Sequence, residues 1–253
     1  MKRLDNKVAI VTGAAGSIGK ATARLFLEEG AKVFLVDLDE ATLKKTVEEL
    51  GGKNLGYCAA DVTKSEDVKK YVKEAEKQFG AIDIFFNNAG IEGAVKPIEE
   101  YPEEVFDKVL TINVKGVWLG IKYILPIMKE GGSIINTSSL SGLLAIPNFS
   151  GYIISKHAVV GITRSAAVEA SPRQIRVNSI HPTMVDNDMA RRLEEGLAPG
   201  QADEIRKEVT KTIPLGRYAK PKEIGQLVLF LASDESRYIT GTTQVIDGGS
   251  SIQ

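Results

Sequence analysis

Tyr152 and Lys156 stand four residues apart in a stretch of helical period, so their side chains leave one face of that helix a single turn apart. A phenol beside an ammonium is a proton-transfer pair. A free tyrosine has a pKa of about 10, too high for a base at neutral pH, and a neighbouring positive charge favours the phenolate. Ser139 precedes Tyr152 by 13 residues and sits just past an apolar strand, where open α/β sheets place their ligands.

A second group of residues suits phosphate. Thr12-Gly13-Ala14-Ala15-Gly16-Ser17-Ile18-Gly19 joins an apolar strand to an amphipathic helix. A helix amino terminus offers free N–H groups and positive dipole to a pyrophosphate, and glycines let the backbone approach it. A magnesium-nucleotide loop is excluded, because Gly13 and Gly19 are six apart and Lys20 is followed by Ala21, with no hydroxyl for the metal. Asp37 ends the second strand, 18 residues beyond Gly19, where a dinucleotide fold sets a carboxylate against the adenosine ribose. That carboxylate repels a 2′-phosphate, and Ala14, Ala15 and Leu38 supply no cation for one. NAD (NADH) is therefore expected over NADP.

Strand-length apolar runs alternate with helical segments to position these groups. Val8–Val11 leads to a helix over Ser17–Glu29, Lys32–Val36 to Glu40–Leu50, Leu55–Ala60 to Ser65–Phe79, and Ile82–Phe86 to Pro102–Leu110. A long apolar helix is expected over Thr111–Met128, followed by the strand Ser133–Thr137, a helix over Gly151–Ala170, a sixth strand Ile175–Ile180 and a seventh, Thr242–Ile246. Nearly continuous apolar strands separated by helices predict an α/β fold, a single doubly wound domain over residues 1–253 whose parallel seven-stranded sheet carries helices on both faces. Residues 183–212 break the rhythm with charge, Gly196 and Pro199-Gly200, and are expected to form a substrate lid or a disordered excursion.

Composition narrows the functions further. The chain has 253 residues, a net charge of −1 and 24 glycines, without a long basic block, which argues against nucleic-acid binding. No apolar run reaches the ~18–20 residues of a membrane span, and the amino terminus lacks a signal-peptide pattern, so a cytoplasmic location is expected. One cysteine, Cys58, and two histidines, His157 and His181, cannot build a disulfide or a Cys/His zinc site, and no metal site is expected. Cys58 reads as buried and inert, both histidines as structural, and Trp118 as a core or subunit-contact residue.

With Asp61-Val62, Asn87-Asn88-Ala89-Gly90, Asn113, Ser138-Ser139, Asn178, His181-Pro182 and Asp247-Gly248-Gly249 added in order, the chain resembles the short-chain dehydrogenase/reductase family from Lys7 to Gly249, above all its NAD-linked ketone and secondary-alcohol branch. The resemblance implies a Rossmann fold and a cytoplasmic homotetramer. It implies Tyr152 as general acid/base, Ser139 as the residue holding the carbonyl or alkoxide oxygen, Lys156 on the nicotinamide ribose and Asn113 positioning a relay water. Gly13, Gly16, Ser17, Ile18, Gly19, Asp37, Asp61, Val62, Asn87, Ala89, Gly90, Tyr152, Lys156, Pro182, Val185 and Asn187 are the cofactor-binding set it implies.

Three positions depart from the family pattern. The central loop glycine is displaced, with Gly16 and Ser17 fourth and fifth after Thr12; Thr183 replaces a glycine after Pro182; and Asn187 stands where a threonine is usual. Leu143, Leu144, Ile146, Phe149, Met184, Met189 and Leu193 give an apolar pocket for a cyclic or apolar ketone, and Phe85–Gly93 is similar to the matching segment of cyclic-dione reductases. Two other functions fit less well. A 3-oxoacyl-carrier-protein reductase calls for NADPH and a basic patch, and a non-catalytic dinucleotide sensor has no need of Ser139, Tyr152 and Lys156 together.

Overall fold

The computed structural model describes residues 2–252. Seven strands form one sheet: β1 (Val8–Thr12), β2 (Lys32–Asp37), β3 (Leu55–Ala59), β4 (Ile82–Asn87), β5 (Met128–Thr137), β6 (Arg176–Pro182) and β7 (Thr243–Ile246). They pair in the order β3-β2-β1-β4-β5-β6-β7, and every pair is parallel. The strand order reverses between β1 and β4, so the carboxyl ends of those two strands flank a crevice of the kind that holds ligands in doubly wound sheets.

The strands alternate between two buried faces. Val8, Ile10, Phe34, Phe85 and Val177 pack with α3 (Ser65–Phe79), α5 (Val117–Ile124) and α6 (Ser150–Ala170). Ala9, Val11, Val33, Leu35, Phe86 and Ile135 pack on the other side with α1 (Ser17–Glu28), α2 (Glu40–Leu50) and α9 (Pro221–Ala232). Burial on both faces explains the near-continuous apolar strand sequences. It also covers Cys58, whose thiol burial pushes up to about 11, leaving it a poor nucleophile.

Three elements differ from the sequence expectation. The predicted helices Pro102–Leu110 and Thr111–Met128 are one continuous helical run, in which α4 (Glu103–Leu110) passes through a π-helical turn at Thr111–Gly116 into α5. A residue inserted this way keeps helical period in the sequence yet changes which side chains face inward, and such turns recur at functional sites. Second, β5 begins at Met128 and bulges opposite β4, because Met128 pairs with Ile82 ahead of the regular ladder from Ser133. Third, residues 183–212 are ordered as α7 (Asp188–Leu197) and α8 (Ala202–Lys211). Trp118 is 48% exposed on α5 with the Lys122 ammonium 4.9 Å from its ring centre, so the core alternative for it is wrong. No helix among the described residues is long and apolar enough to cross a membrane.

Candidate active site

A cleft of about 840 Å³ runs along the carboxyl ends of the strands, from the loop after β1 to the space beneath α7. Gly13, Gly16, Ser17 and Ile18 line one end. Gly16 caps α1 without any side-chain hydrogen bond, which leaves the first-turn N–H groups to a ligand. Gly13 has φ +63°, and a Cβ there would lie 2.9 Å from the Asn88 amide nitrogen. Gly19 lies off the cleft wall: a side chain on it would run into the Gly13 carbonyl, so it lets the helix close on the loop. The displaced glycine thus leaves a cradle with an open helix terminus, which fits a pyrophosphate.

The end of the cleft beside β2 is acidic. Asp37 accepts from the Ala15 N–H at 2.9 Å and from the Leu38 N–H at 2.8 Å, one bond to each carboxylate oxygen. Asp61 and Val62 form the wall beside it. Burial opposes ionisation of Asp61, but bonds from the Thr63 N–H and hydroxyl hold its carboxyl below the usual range.

Asn87 does not face this groove. Its amide is 3% exposed and donates to the Val117 carbonyl at 2.9 Å and to Asn136 Oδ1 at 3.3 Å, because strand alternation turns residue 87 toward α5. Asn88 is the wall residue, and its function was missed in sequence. It donates from its amide to the Thr12 and Gly13 carbonyls, accepts from the Thr137 hydroxyl at 3.0 Å and so ties together the ends of β1, β4 and β5. Alternation along Phe85–Asn88 was the available signal. Ala89 and Gly90 continue the wall.

Ser139, Tyr152 and Lys156 meet in the middle of the cleft. The Lys156 ammonium donates to the Thr137 carbonyl at 2.9 Å and lies 5.4 Å from the centre of the Tyr152 ring. Ser138 fixes α6 here by donating to the Lys156 carbonyl at 2.9 Å. Burial pushes Tyr152 up to about 12; the Ser139 hydroxyl opposes that rise and the Glu92 charge adds to it. Burial also pushes Lys156 down to about 8. Desolvation outweighs the Ser139 hydrogen bond, so the protein alone holds Tyr152 protonated.

Asn113 is fully buried in the π-helical turn, with its Oδ1 behind Gly90 of the cleft wall. Its Oδ1 accepts from the Ile91 N–H, and its Nδ2 donates to the Ile91 carbonyl and the Ser155 hydroxyl, at 2.9, 2.9 and 3.0 Å. Ser155 in turn donates to the Tyr152 carbonyl at 2.7 Å. The side chain is a clamp between the 90–91 loop and α6.

Pro182, Thr183, Met184, Val185 and Asn187 close the other end of the cleft. Asn187 uses its side-chain oxygen to cap α7, accepting from the Ala190 N–H at 2.9 Å. Of the apolar pocket residues expected, Leu144, Ile146, Phe149, Met184, Met189 and Leu193 line the cleft, and Leu143 does not.

His181 stands behind Ser139 and is completely buried. Its Nδ1 bonds the Ser139 carbonyl at 2.8 Å and its Nε2 bonds the Ser179 hydroxyl at 2.8 Å. A carbonyl only accepts, so Nδ1 carries the proton and Nε2 accepts from Ser179. Burial pushes this imidazole down to about 4. Above about pH 6.5 the ring is neutral folded and unfolded. As pH falls toward about 4 only the unfolded chain takes up the proton, so stability falls over that window by up to about 3 kcal/mol. His181→Gln should flatten that part of the pH dependence of the unfolding midpoint. An unchanged acid slope would assign the loss to other groups. His157 bonds the Ile153 carbonyl one turn back, at 2.9 Å, and is structural as expected.

Comparison with known proteins agrees with this geometry. A family model described as enoyl-(acyl carrier protein) reductase matches residues 13–251. The chain is 38% identical to a cyclohexanol dehydrogenase of Acinetobacter sp. (strain SE19), over 97% of this chain and 95% of that one. It is 39% identical to a levodione reductase of Leifsonia aquatica, over 98% and 96%, and 39% identical to a 3-oxoacyl-[acyl-carrier-protein] reductase of Thermotoga maritima, over 98% of each. A crystal structure of levodione reductase superposes with a TM-score of 0.95 over 99% of both chains, at 39% identity.

Proposed function

The chain belongs to the short-chain dehydrogenase/reductase family and is an oxidoreductase, and we propose that it transfers hydride between NAD(H) and an apolar or cyclic ketone/secondary-alcohol pair. One observation carries this reading: Ser139, Tyr152 and Lys156 line the same cleft as the uncapped α1 terminus and Asp37, so reacting groups and dinucleotide cradle share one space. The bound nicotinamide supplies or accepts the hydride. Tyr152 gives a proton to the carbonyl oxygen during reduction and takes it back during oxidation. Ser139 holds that oxygen, and Lys156 binds the nicotinamide ribose and orients it. Asn113 acts by keeping the 90–91 loop against α6. Gly13, Gly16, Ser17 and Ile18 hold the pyrophosphate; Asp37, Asp61 and Val62 the adenosine; Ala89, Gly90, Pro182, Val185 and Asn187 the rest.

The charges of the cleft favour NADH and a neutral substrate. Its cationic side chains are Lys156 and Arg192, against the carboxylates of Asp37, Asp39, Asp61, Asp188 and Glu194. A substrate carried on an acidic protein calls for the reverse balance. The purified protein should oxidise NADH with cyclohexanone or a cyclic dione, followed by nicotinamide absorbance, faster than it oxidises NADPH. Tight NADH binding without turnover of any ketone or alcohol would instead favour a dinucleotide sensor. We further propose a single domain in which α7 and α8 cover the substrate, working in the cytoplasm as a homotetramer that buries the exposed Trp118 face of α5.

A further inference from the structure

The cleft has a second polar group besides Ser139 and Tyr152. Arg192 projects from α7 into the cleft wall, where the other cation is Lys156. Its Nε and Nη2 both donate to the Glu92 carboxylate, Nη2 at 3.3 Å, which holds the guanidinium as a planar fork. Glu92 is a fixed anchor. On one side the Ile91 N–H and carbonyl are both bonded to Asn113. On the other, the Ala94 N–H donates to the Tyr101 hydroxyl at 3.1 Å, and Gly93, at φ +79°, packs where a Cβ would lie 2.7 Å from a Val109 methyl.

The fork leaves Nη1 over. Among the described residues neither of its N–H groups has a protein partner; the Arg192 side chain is 59% exposed, and Ile146, Phe149, Met189 and Leu193, which line the same cleft, carry no polar side-chain group. The Glu92–Arg192 pair is neutral as a unit, and Asp188 is a further carboxylate whose charge acts on Arg192. An anionic group therefore meets no net positive charge there, whereas a neutral carbonyl or hydroxyl oxygen can accept from Nη1 without either ion losing its partner.

We infer that Arg192, braced by Glu92, binds a second, neutral oxygen at the far end of the substrate, so that cyclic diones and hydroxyketones are preferred to simple cyclic monoketones. The inference rests on the ketone-reductase reading above and names the substrate class of that site. Arg192→Met keeps the apolar stem and removes the donors.

The test compares cyclohexane-1,4-dione with cyclohexanone. The wild-type ratio of kcat/KM should favour the dione by about tenfold or more, after allowance for its two equivalent carbonyls, and Arg192→Met should bring that ratio close to one. A parallel readout does not need turnover: in NADH-loaded Tyr152→Phe protein, adding Arg192→Met should weaken dione binding about tenfold relative to monoketone binding, read by quenching of NADH fluorescence. Equal effects on both ketones in either assay overturn the distal-oxygen role and leave the reductase reading standing. Binding of neither ketone overturns this inference, and absence of turnover with every ketone and alcohol overturns the reading beneath it.

Discussion

Tyr152→Phe is expected to lower kcat for ketone reduction by about 10²–10⁴-fold while NADH still binds, because it removes one oxygen and keeps the ring that packs in the cleft. The direction follows from the acidities in the site. Burial holds Tyr152 at about 12 with its proton on, and an acid that is protonated across the neutral range is ready to donate to a carbonyl oxygen as hydride arrives. Lys156, pushed down to about 8, is the more easily discharged of the two. Reduction should therefore change little with pH up to about 8 and decline above it as Lys156 loses its charge. Alcohol oxidation needs the phenolate and should rise with pH by up to tenfold per unit. Stopped-flow or steady-state rates in both directions read this directly. Full activity in Tyr152→Phe would remove Tyr152 from the chemistry, and a reduction rate rising steeply with pH would mean that the phenol is not the acid.

How much of this site could be read in the sequence depended on how local its determinants were. Gly13, Gly16 and Asp37 were legible because a strand-to-helix turn and a strand end are set by nearby residues, and Tyr152 and Lys156 because helical period fixes their shared face. The side-chain bonds of Asn113 and Asn87 were not, because they run to partners distant in sequence, Ile91 and Ser155 for one, Val117 and Asn136 for the other. A motif match carries a residue's position, and only packing shows which way its side chain turns. The same limit explains residues 183–212. Charged, glycine-broken sequence reads as an excursion, yet Asn187 caps α7, and Glu194, fully buried, lies 3.4 Å from Arg191 of its own helix and 3.9 Å from Arg206 of α8. The Arg206 contact is a tertiary ion pair between two helices, which no local period announces.

Cofactor choice should be set by charge at the end of β2, and one substitution there will not reverse it. Wild-type protein is expected to bind NADH at least about 10²-fold more tightly than NADPH, since a like-charge contact at about 4 Å near a protein surface costs roughly 4 kcal/mol, where 1.4 kcal/mol is tenfold. Asp37 is fixed for this role: the Ala15 and Leu38 N–H groups hold both carboxylate oxygens, so the charge cannot swing aside for a 2′-phosphate. Asp37→Ser should weaken NADH binding by about tenfold or more through lost ribose contacts. NADPH should remain poor, because Asp39 stays in the wall, its carboxyl held below the usual range by the Thr42 hydroxyl and then by the Thr42 N–H bond with which it caps α2. Leu38 lies on the cleft and is 70% exposed, so Leu38→Arg can reach a 2′-phosphate without burying an unpaired charge. Asp37→Ser with Leu38→Arg should therefore invert the preference where either change alone does not, as measured by the Kd for each reduced cofactor. Equal binding of NADH and NADPH by the wild-type protein would show that the carboxylate of Asp37 does not face the ribose.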